Sequence, residues 1–337
     1  MRSIRFAVAA LAAAGLAVTA ASAAQADPVK IRTSYVVPVA NWASLLLEKP
    51  ELLKHQGKSY VTEAIRFQGT PPMITALAAG EIEIGDLGYS SLAFAIQNAG
   101  LSDLRVIGDD FQDGVAGYYS DQFFVLNDSG IKTVEDLKGK VVATNAGGSA
   151  VDIAMRAMLR KHHLDDKKDV TFVEAAFPNM KSMLESHKVD LIPGVPPFAF
   201  NPDLNKEAHA LFVQKDAVGT TQMIVWTARA GFIQKHRAAM VDFMEDSIRV
   251  ARWYLDPKNH DEVVAIAAKL TKTPPALWQD WVFTKKDDYR SRDMQPDLKA
   301  LQANVETQQE LGFLNTKIDI GKYSDLSLAK EAAARLK

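Results

Sequence analysis

The chain has 337 residues with 39 basic and 41 acidic side chains, a formal net charge of −2, and no cysteine. That balance excludes an electrostatic binder of nucleic acid or anionic membrane. The missing cysteines exclude a disulfide framework, a thiol nucleophile, thiolate metal sites and a lipid-anchored lipoprotein, while the length is about two domains' worth.

Residues 1–26 read as a secretory signal peptide: Arg2 and Arg5, an apolar run over 6–18, then small residues over 19–26 with no acid among them. Cleavage is expected after Ala26, because Ala24-Gln25-Ala26 is a small-x-small site directly before the polar Asp27-Pro28. A retained anchor needs about 20 strongly apolar residues, and this alanine-, serine- and threonine-rich run makes a poor one. Removing Arg2 and Arg5 leaves 37 basic against 41 acidic side chains, a net charge of −4. The expected product is free in a periplasm.

Beyond the leader, residues 30–36, 61–67, 82–87 and 104–107 read as strands with helical patterns between them, which predicts an α/β layer with parallel strands. The pattern restarts at 131–142, where Thr133 to Asp136 reads as a capping box and 140–143 as the next strand. A second α/β unit runs to about Trp226. After Gly231 the pattern is helical only, over 232–255 and from 261 onward. The chain also matches itself at an offset of 107 residues: Lys54-His55 with Lys161-His162, Pro71 with Pro178, Met73 with Met180, Leu77 with Leu184. That ungapped register predicts two lobes of similar design.

Residues 71–85 (Pro71-Pro72-Met73 through Gly80-Glu81-Ile82-Glu83-Ile84-Gly85), 134–142 (Asp136-Leu137-Lys138-Gly139-Lys140), 145–150 (Asn145-Ala146-Gly147-Gly148-Ser149-Ala150) and 183–190 together resemble the ABC-transporter solute-binding proteins of the nitrate/sulfonate/taurine type, which include relatives of thiamine-pyrimidine binders. The resemblance spans essentially the whole chain after the leader. It implies a two-lobed type II periplasmic-binding-protein fold, each lobe a mostly parallel sheet flanked by helices, with the ligand cleft between them. Residues 27–117 would form the first part of lobe 1, 118–227 lobe 2, and 228–337 a return to lobe 1, with crossover strands near 117–123 and 222–228. It further implies the substrate-binding component of an ABC import system: a monomer without cofactor or metal that closes on a small organic anion, sulfonate- or taurine-like or an aromatic carboxylate, and delivers it to an inner-membrane permease with its ATPase. A periplasmic sensor for a membrane receptor and a binder of a pyrimidine or thiamine precursor are the alternatives.

In open α/β sheets ligands lie at the carboxyl ends of the strands, so the candidate loops are 39–42, 68–70 and 88–91 and their counterparts 146–149, 175–177 and 195–198. Candidate ligand-binding residues are Asn41, Trp42, Thr70, Gly88, Tyr89, Ser90, Asn145, Gly148, Ser149, Phe177, Pro196 and Trp226. Gly147-Gly148-Ser149 opens a helical run, and the unpaired amides of a helix N-terminus suit a carboxylate, sulfonate or phosphate. Ser149 is equally suited to capping that helix. The aromatics Trp42, Tyr89, Tyr118, Tyr119, Phe177, Phe198 and Trp226 would sandwich a ring or an apolar ligand body, or simply pack. No lysine or arginine lies in the six loops; Arg66 and Arg105 are the nearest in sequence.

The named catalytic patterns G-x-S-x-G, H-E-x-x-H, P-loop and G-x-G-x-x-G are missing. His162-His163 reads as a solvated helix end, not a metal site. The same fold family contains pyrimidine-synthesising enzymes with a cysteine-rich motif, which this chain lacks, so no enzyme is expected. A DNA-binding effector would need a helix-turn-helix that the leader does not supply. Mass spectrometry of the exported protein should find Asp27 at its N-terminus; a chain still beginning at Met1 would favour the anchor.

Overall fold

The computed structural model describes residues 27–337; the signal peptide and its cleavage site lie outside the described residues. Ten strands follow in order: β1 (Val29–Tyr35), β2 (Tyr60–Arg66), β3 (Ile84–Gly88), β4 (Leu104–Asp113), β5 (Gln122–Leu126), β6 (Val141–Thr144), β7 (Thr171–Glu174), β8 (Ile192–Gly194), β9 (Ala208–Val213) and β10 (Thr221–Arg229). The first sheet has the order β2-β1-β3-β10-β4. The second lobe holds the three-stranded β8-β5-β9 and the pair β6-β7, joined by a parallel bridge from Val142 to Leu191.

Four strands of each lobe run the same way, the mostly parallel arrangement expected, and one strand in each is reversed. β1 is parallel to β2 and β3, but β10 runs against β3 and β4. β5 likewise runs against β8 and β9. The reversed strands β5 and β10 are the ones that arrive from the other lobe: the chain leaves the first sheet between Asp113 and Gln122 and re-enters it between Val213 and Thr221.

Helix α1 (Thr70–Ala79) follows β2 and α2 (Tyr89–Asn98) follows β3; α3 (Ala150–Lys161) follows β6 and α4 (Phe177–Glu185) follows β7. The 107-residue offset separates the first residues of α1 and α4, Thr70 and Phe177. Each starts with a proline in its first turn, where the missing N–H has no intrahelical acceptor to lose. The helical pattern expected between the first two strands is instead a 3-10 turn over Trp42–Ser44 followed by two more short turns, the last opened by Pro50.

Alternation along the first sheet sends Val106 and Val225 into one core cluster and Ile31, Ile84, Ile107 and Trp226 into another. The second cluster is closed by the helix Arg237–Tyr254 through Phe243, Met244 and Ile248, so the C-terminal helices pack on the first sheet. Asp246 of that helix is fully buried and accepts from the amides of Lys54 and His55 at 3.0 and 2.8 Å and from the Tyr60 hydroxyl at 2.8 Å, while pairing with Arg249. It clamps the start of β2 to the helix. Asp246→Ala should destabilise the protein by about 2–4 kcal/mol in urea denaturation, because it strands the Lys54, His55 and Tyr60 donors, while Arg249 keeps Glu245 and the Leu52 carbonyl; a change under about 1 kcal/mol would show that the clamp is dispensable.

Candidate functional site

The strand ends converge on a cavity of about 60 Å³ walled from both lobes, with Val36, Asn41, Thr70 and Phe111 on one side and Asn145, Ser149, Phe177 and Pro196 on the other. Val195, Met223 and Ile224 add apolar wall, and Asp121 and Asp288 add carboxylates. An outer space of about 360 Å³ shares Val36, Val37 and Phe177 with it and carries Arg66 at its rim.

Six of the candidate residues therefore meet at one cavity: Asn41, Thr70, Asn145, Ser149, Phe177 and Pro196. Several spend their polar atoms on the framework. The Asn41 carbonyl accepts from the amides of Val36 and Val37 at 3.1 and 2.9 Å, and its amide donates to Asp110 at 2.7 Å. Thr70 shares a 2.6 Å hydrogen bond with Ser91. Phe177 stacks on Phe198 with centroids 6.0 Å apart.

The other six are placed behind the wall. Trp42 is 1 % exposed and stacks on Phe283 at 5.3 Å, and Trp226 is fully buried against Phe243 at 5.6 Å, so both fill core. Gly88, Tyr89, Ser90 and Gly148 join the lobes to each other. The Tyr89 hydroxyl donates to the Ala150 carbonyl at 3.2 Å and Ser90 Oγ to the Gly148 carbonyl at 2.9 Å. A Cβ on Gly88 would lie 3.3 Å from that of Ala150, so the close approach needs glycine. Gly148 has φ +82°, a conformation that glycine alone adopts at little cost.

The amides before α3 are held by the chain's own carboxylates. Gly147 N donates to Glu174 at 2.7 Å and Gly148 N to Asp152 at 2.8 Å. Ser149 caps α3, its Oγ accepting from Asp152 N at 3.4 Å while donating to Asn145 at 2.7 Å. The capping role of Ser149 is thus present. The first two helical residues, Ala150 and Val151, have no intrahelical acceptor for their amides and both line the cavity.

Sequence reasoning missed the acidic floor. Asp86, Asp109, Asp110, Asp113, Asp121, Asp287 and Asp288 are all 3 % exposed or less, around one buried cation, Arg290. The antiparallel bridge from Gln112 to Tyr289 brings the two acidic runs together. Burial pushes Asp109 and Asp113 up to about 7. Burial, then the charge of neighbouring aspartates, lifts Asp86, Asp121 and Asp288 well above the usual carboxylate range. The available signal was Asp109-Asp110-Phe111-Gln112-Asp113, a strand continuation whose carboxylates disguise its burial.

Compared with known proteins, residues 73–259 match the family described as NMT1/THI5 like. A putative aliphatic sulfonates-binding protein of Escherichia coli (strain K12) is 32 % identical over 140 residues, which span 42 % of this chain and 41 % of that protein's length. Among solved structures, the alkanesulfonate-binding protein SsuA from Xanthomonas axonopodis pv. citri bound to MOPS superposes with TM-score 0.68 at 18 % identity, over 89 % of this chain and 99 % of that one. The desulfurization enzyme DSZB does so with TM-score 0.65 at 14 % identity, over 92 % of this chain and all (100 %) of the other. The fold is therefore shared by a binding protein and an enzyme, and the type II periplasmic-binding-protein architecture is the common element. No helix among the described residues is long and apolar enough to cross a membrane.

The buried floor sets the pH response of the empty protein. Asp109 and Asp113 titrate near 7 when folded and near about 3.9 when unfolded, so the folded state binds more protons between those values. Their contribution is full below the unfolded value and is lost as pH rises through 7. Carboxylates held low, such as Asp136 by the amides of Lys132 and Thr133, titrate below that window. The melting temperature of the ligand-free protein should fall by several degrees from pH 5.5 to 8; a rise across that range would mean the floor is ionised throughout.

Proposed function

The chain belongs to the NMT1/THI5-like family, and we propose that it is the solute-binding component of an ABC importer, which encloses a small organic solute between its lobes and hands it to a membrane permease. The observation that carries this reading is the cavity built from the strand ends of both lobes, with two chain crossings beside it. A solute touching both walls stabilises the closed arrangement through contacts that separated lobes do not make together. The segments 114–121 and 214–220 between the sheets are the proposed hinges, and the monomer is the proposed working unit.

The solute class follows from relatives and lining together. The relatives' printed names favour a sulfonate, and the free first-turn amides of α3 offer an anion two donors without a guanidinium. The apolar wall of Val36, Phe111, Phe177, Val195, Met223 and Ile224 suits a short carbon body. A binding role is favoured over chemistry because the chain has no cysteine and the hydroxyls at the cavity, Thr70 and Ser149, hydrogen-bond to Ser91 and Asn145 and not to a base.

A thermal-shift screen of the protein against sulfonates, carboxylates, nitrate and pyrimidines tests the reading. A solute at about 100 times its dissociation constant adds roughly 2.7 kcal/mol, several degrees of melting temperature. The same solute should reduce the radius of gyration in small-angle scattering. Stabilisation without compaction would count against closure between lobes; turnover of the solute would replace the binding role with an enzymatic one.

A further inference from the structure

We infer that the solute also carries a cationic nitrogen, an ammonium or amidinium, which sits against the carboxylates of Asp121 and Asp288 at the cavity floor. The inference deepens the solute-binding reading above and rests on it. Both side chains line the cavity, are 1 % and 3 % exposed, and leave all four carboxylate oxygens without a hydrogen-bond partner among the described residues. Together with Asp113 they place one carboxylate oxygen each within 4.8 Å of one another.

Buried carboxylates are as a rule paired or hydrogen-bonded, and their neighbours obey that rule. Asp113 accepts from Ser120 Oγ and Asp121 N, Asp110 from Asn41 and Trp42 N, and Asp109 from Gln222 and Ser291 N. Arg290 spends its charge on Asp287 at 3.3 Å and its other contacts on the carbonyls of Asp288 and Ala40. Asp121 and Asp288 are left over, and they face open space. Asp86 also lacks a partner, but it does not line the cavity, so protonation is its remedy.

A cationic nitrogen supplies donors and charge at once, a pairing about twice as strong as a neutral hydrogen bond. A simple anion is disfavoured, since its charge would face two carboxylates, whereas a zwitterion sets its anionic end on α3 and its nitrogen on the floor. A hard divalent cation needs six or more oxygen ligands, and the rest of the wall is Val36, Phe111, Met223 and Ile224. No histidine or cysteine lines the cavity for a softer metal. Burial and the repulsion of neighbouring aspartates, which raise both groups in the empty protein, are relieved by the same nitrogen.

Calorimetric titration of the whole protein with matched probes tests the inference: taurine against isethionate, 3-aminopropanesulfonate against 1-propanesulfonate, 4-(aminomethyl)benzoate against 4-methylbenzoate, benzamidine against benzamide, and the chlorides of calcium, magnesium and zinc. In pairs that bind, the nitrogen cation should win by about tenfold or more, the worth of one hydrogen bond between charged groups. Asp121→Asn and Asp288→Asn should each erase that advantage without lowering the melting temperature of the ligand-free protein, since each keeps the shape of a group that burial and neighbouring aspartates already disfavour as an anion. Equal binding within the pairs, or an advantage that survives both variants, overturns the inference while leaving the solute-binding role intact. Micromolar binding of a metal chloride that is lost in both variants replaces it with a metal site. Silence of every probe overturns the inference and the solute-binding reading together.

Discussion

The cavity depends on how this chain compensates buried negative charge. Seven aspartates surround a single guanidinium, and each anion removed from water carries a desolvation penalty of several kcal/mol unless hydrogen bonds or protons offset it. The offsets are what build the walls. Asp110 holds the Asn41-Trp42 turn through two hydrogen bonds, Asp109 ties β4 to Gln222 of β10 and to Ser291, and Asp113 ties the first crossing to the end of β4. Asp287 stabilises its own turn by accepting from the amides of Phe283 and Asp288. The first-lobe wall of the cavity is thus anchored to the acidic floor, where Arg290 pairs with Asp287 and its charge also acts on Asp288 and Asp110.

The second constraint is the repeated βα design. α1 and α4 begin 107 residues apart in corresponding places of the two lobes, and across the cleft the loop before α1 meets the loop between β6 and α3. Gln68 and Asn145 exchange hydrogen bonds there, Gln68 Nε2 to the Asn145 carbonyl at 3.0 Å and Asn145 Nδ2 to the Gln68 carbonyl at 3.3 Å. A Cβ on Gly69 would approach Ala146 Cβ to 2.7 Å, so the loops touch only because that position is glycine. The lobes are joined by small residues and backbone carbonyls, contacts that separate without stranding a charge. That is the kind of interface a closing protein needs.

How far this was legible depends on the kind of signal. The first-lobe strands and the start of α3 were legible from hydrophobic period and from the Gly-Gly-Ser turn, which are local. Asn41, Thr70, Asn145, Ser149, Phe177 and Pro196 reached one cavity because loops after strands converge in such sheets, a topological rule needing no coordinates. Trp226 shows where the rule stops: a tryptophan in an apolar strand reads alike whether it faces a cleft or a neighbouring helix, and here Phe243 takes that face. Trp42 was displaced for a similar reason, its ring stacked on Phe283 from a segment more than two hundred residues away. The mixed strand directions and the acidic floor are both long-range facts. They require that β10 return to the first sheet and that residues 287–290 lie beside β4, and no local pattern announces either.

Asp121 links the charge of the floor to the two crossings between the lobes. It stands at the start of β5 on the first crossing, its amide held by Asp113 of the first sheet at 2.6 Å and its carbonyl accepting from Gln214 N at 2.8 Å at the start of the second crossing. The two crossings meet here, as they do at Ser120 with Lys215 and Gly114 with Thr220, and the Asp121 carboxylate faces the cavity. Under the proposed closure, a ligand group that changes the charge state of Asp121 would act on a segment joining the lobes, while the apolar walls register only size and shape. Such a coupling would discriminate between solutes of equal volume, which apolar contact area alone cannot do.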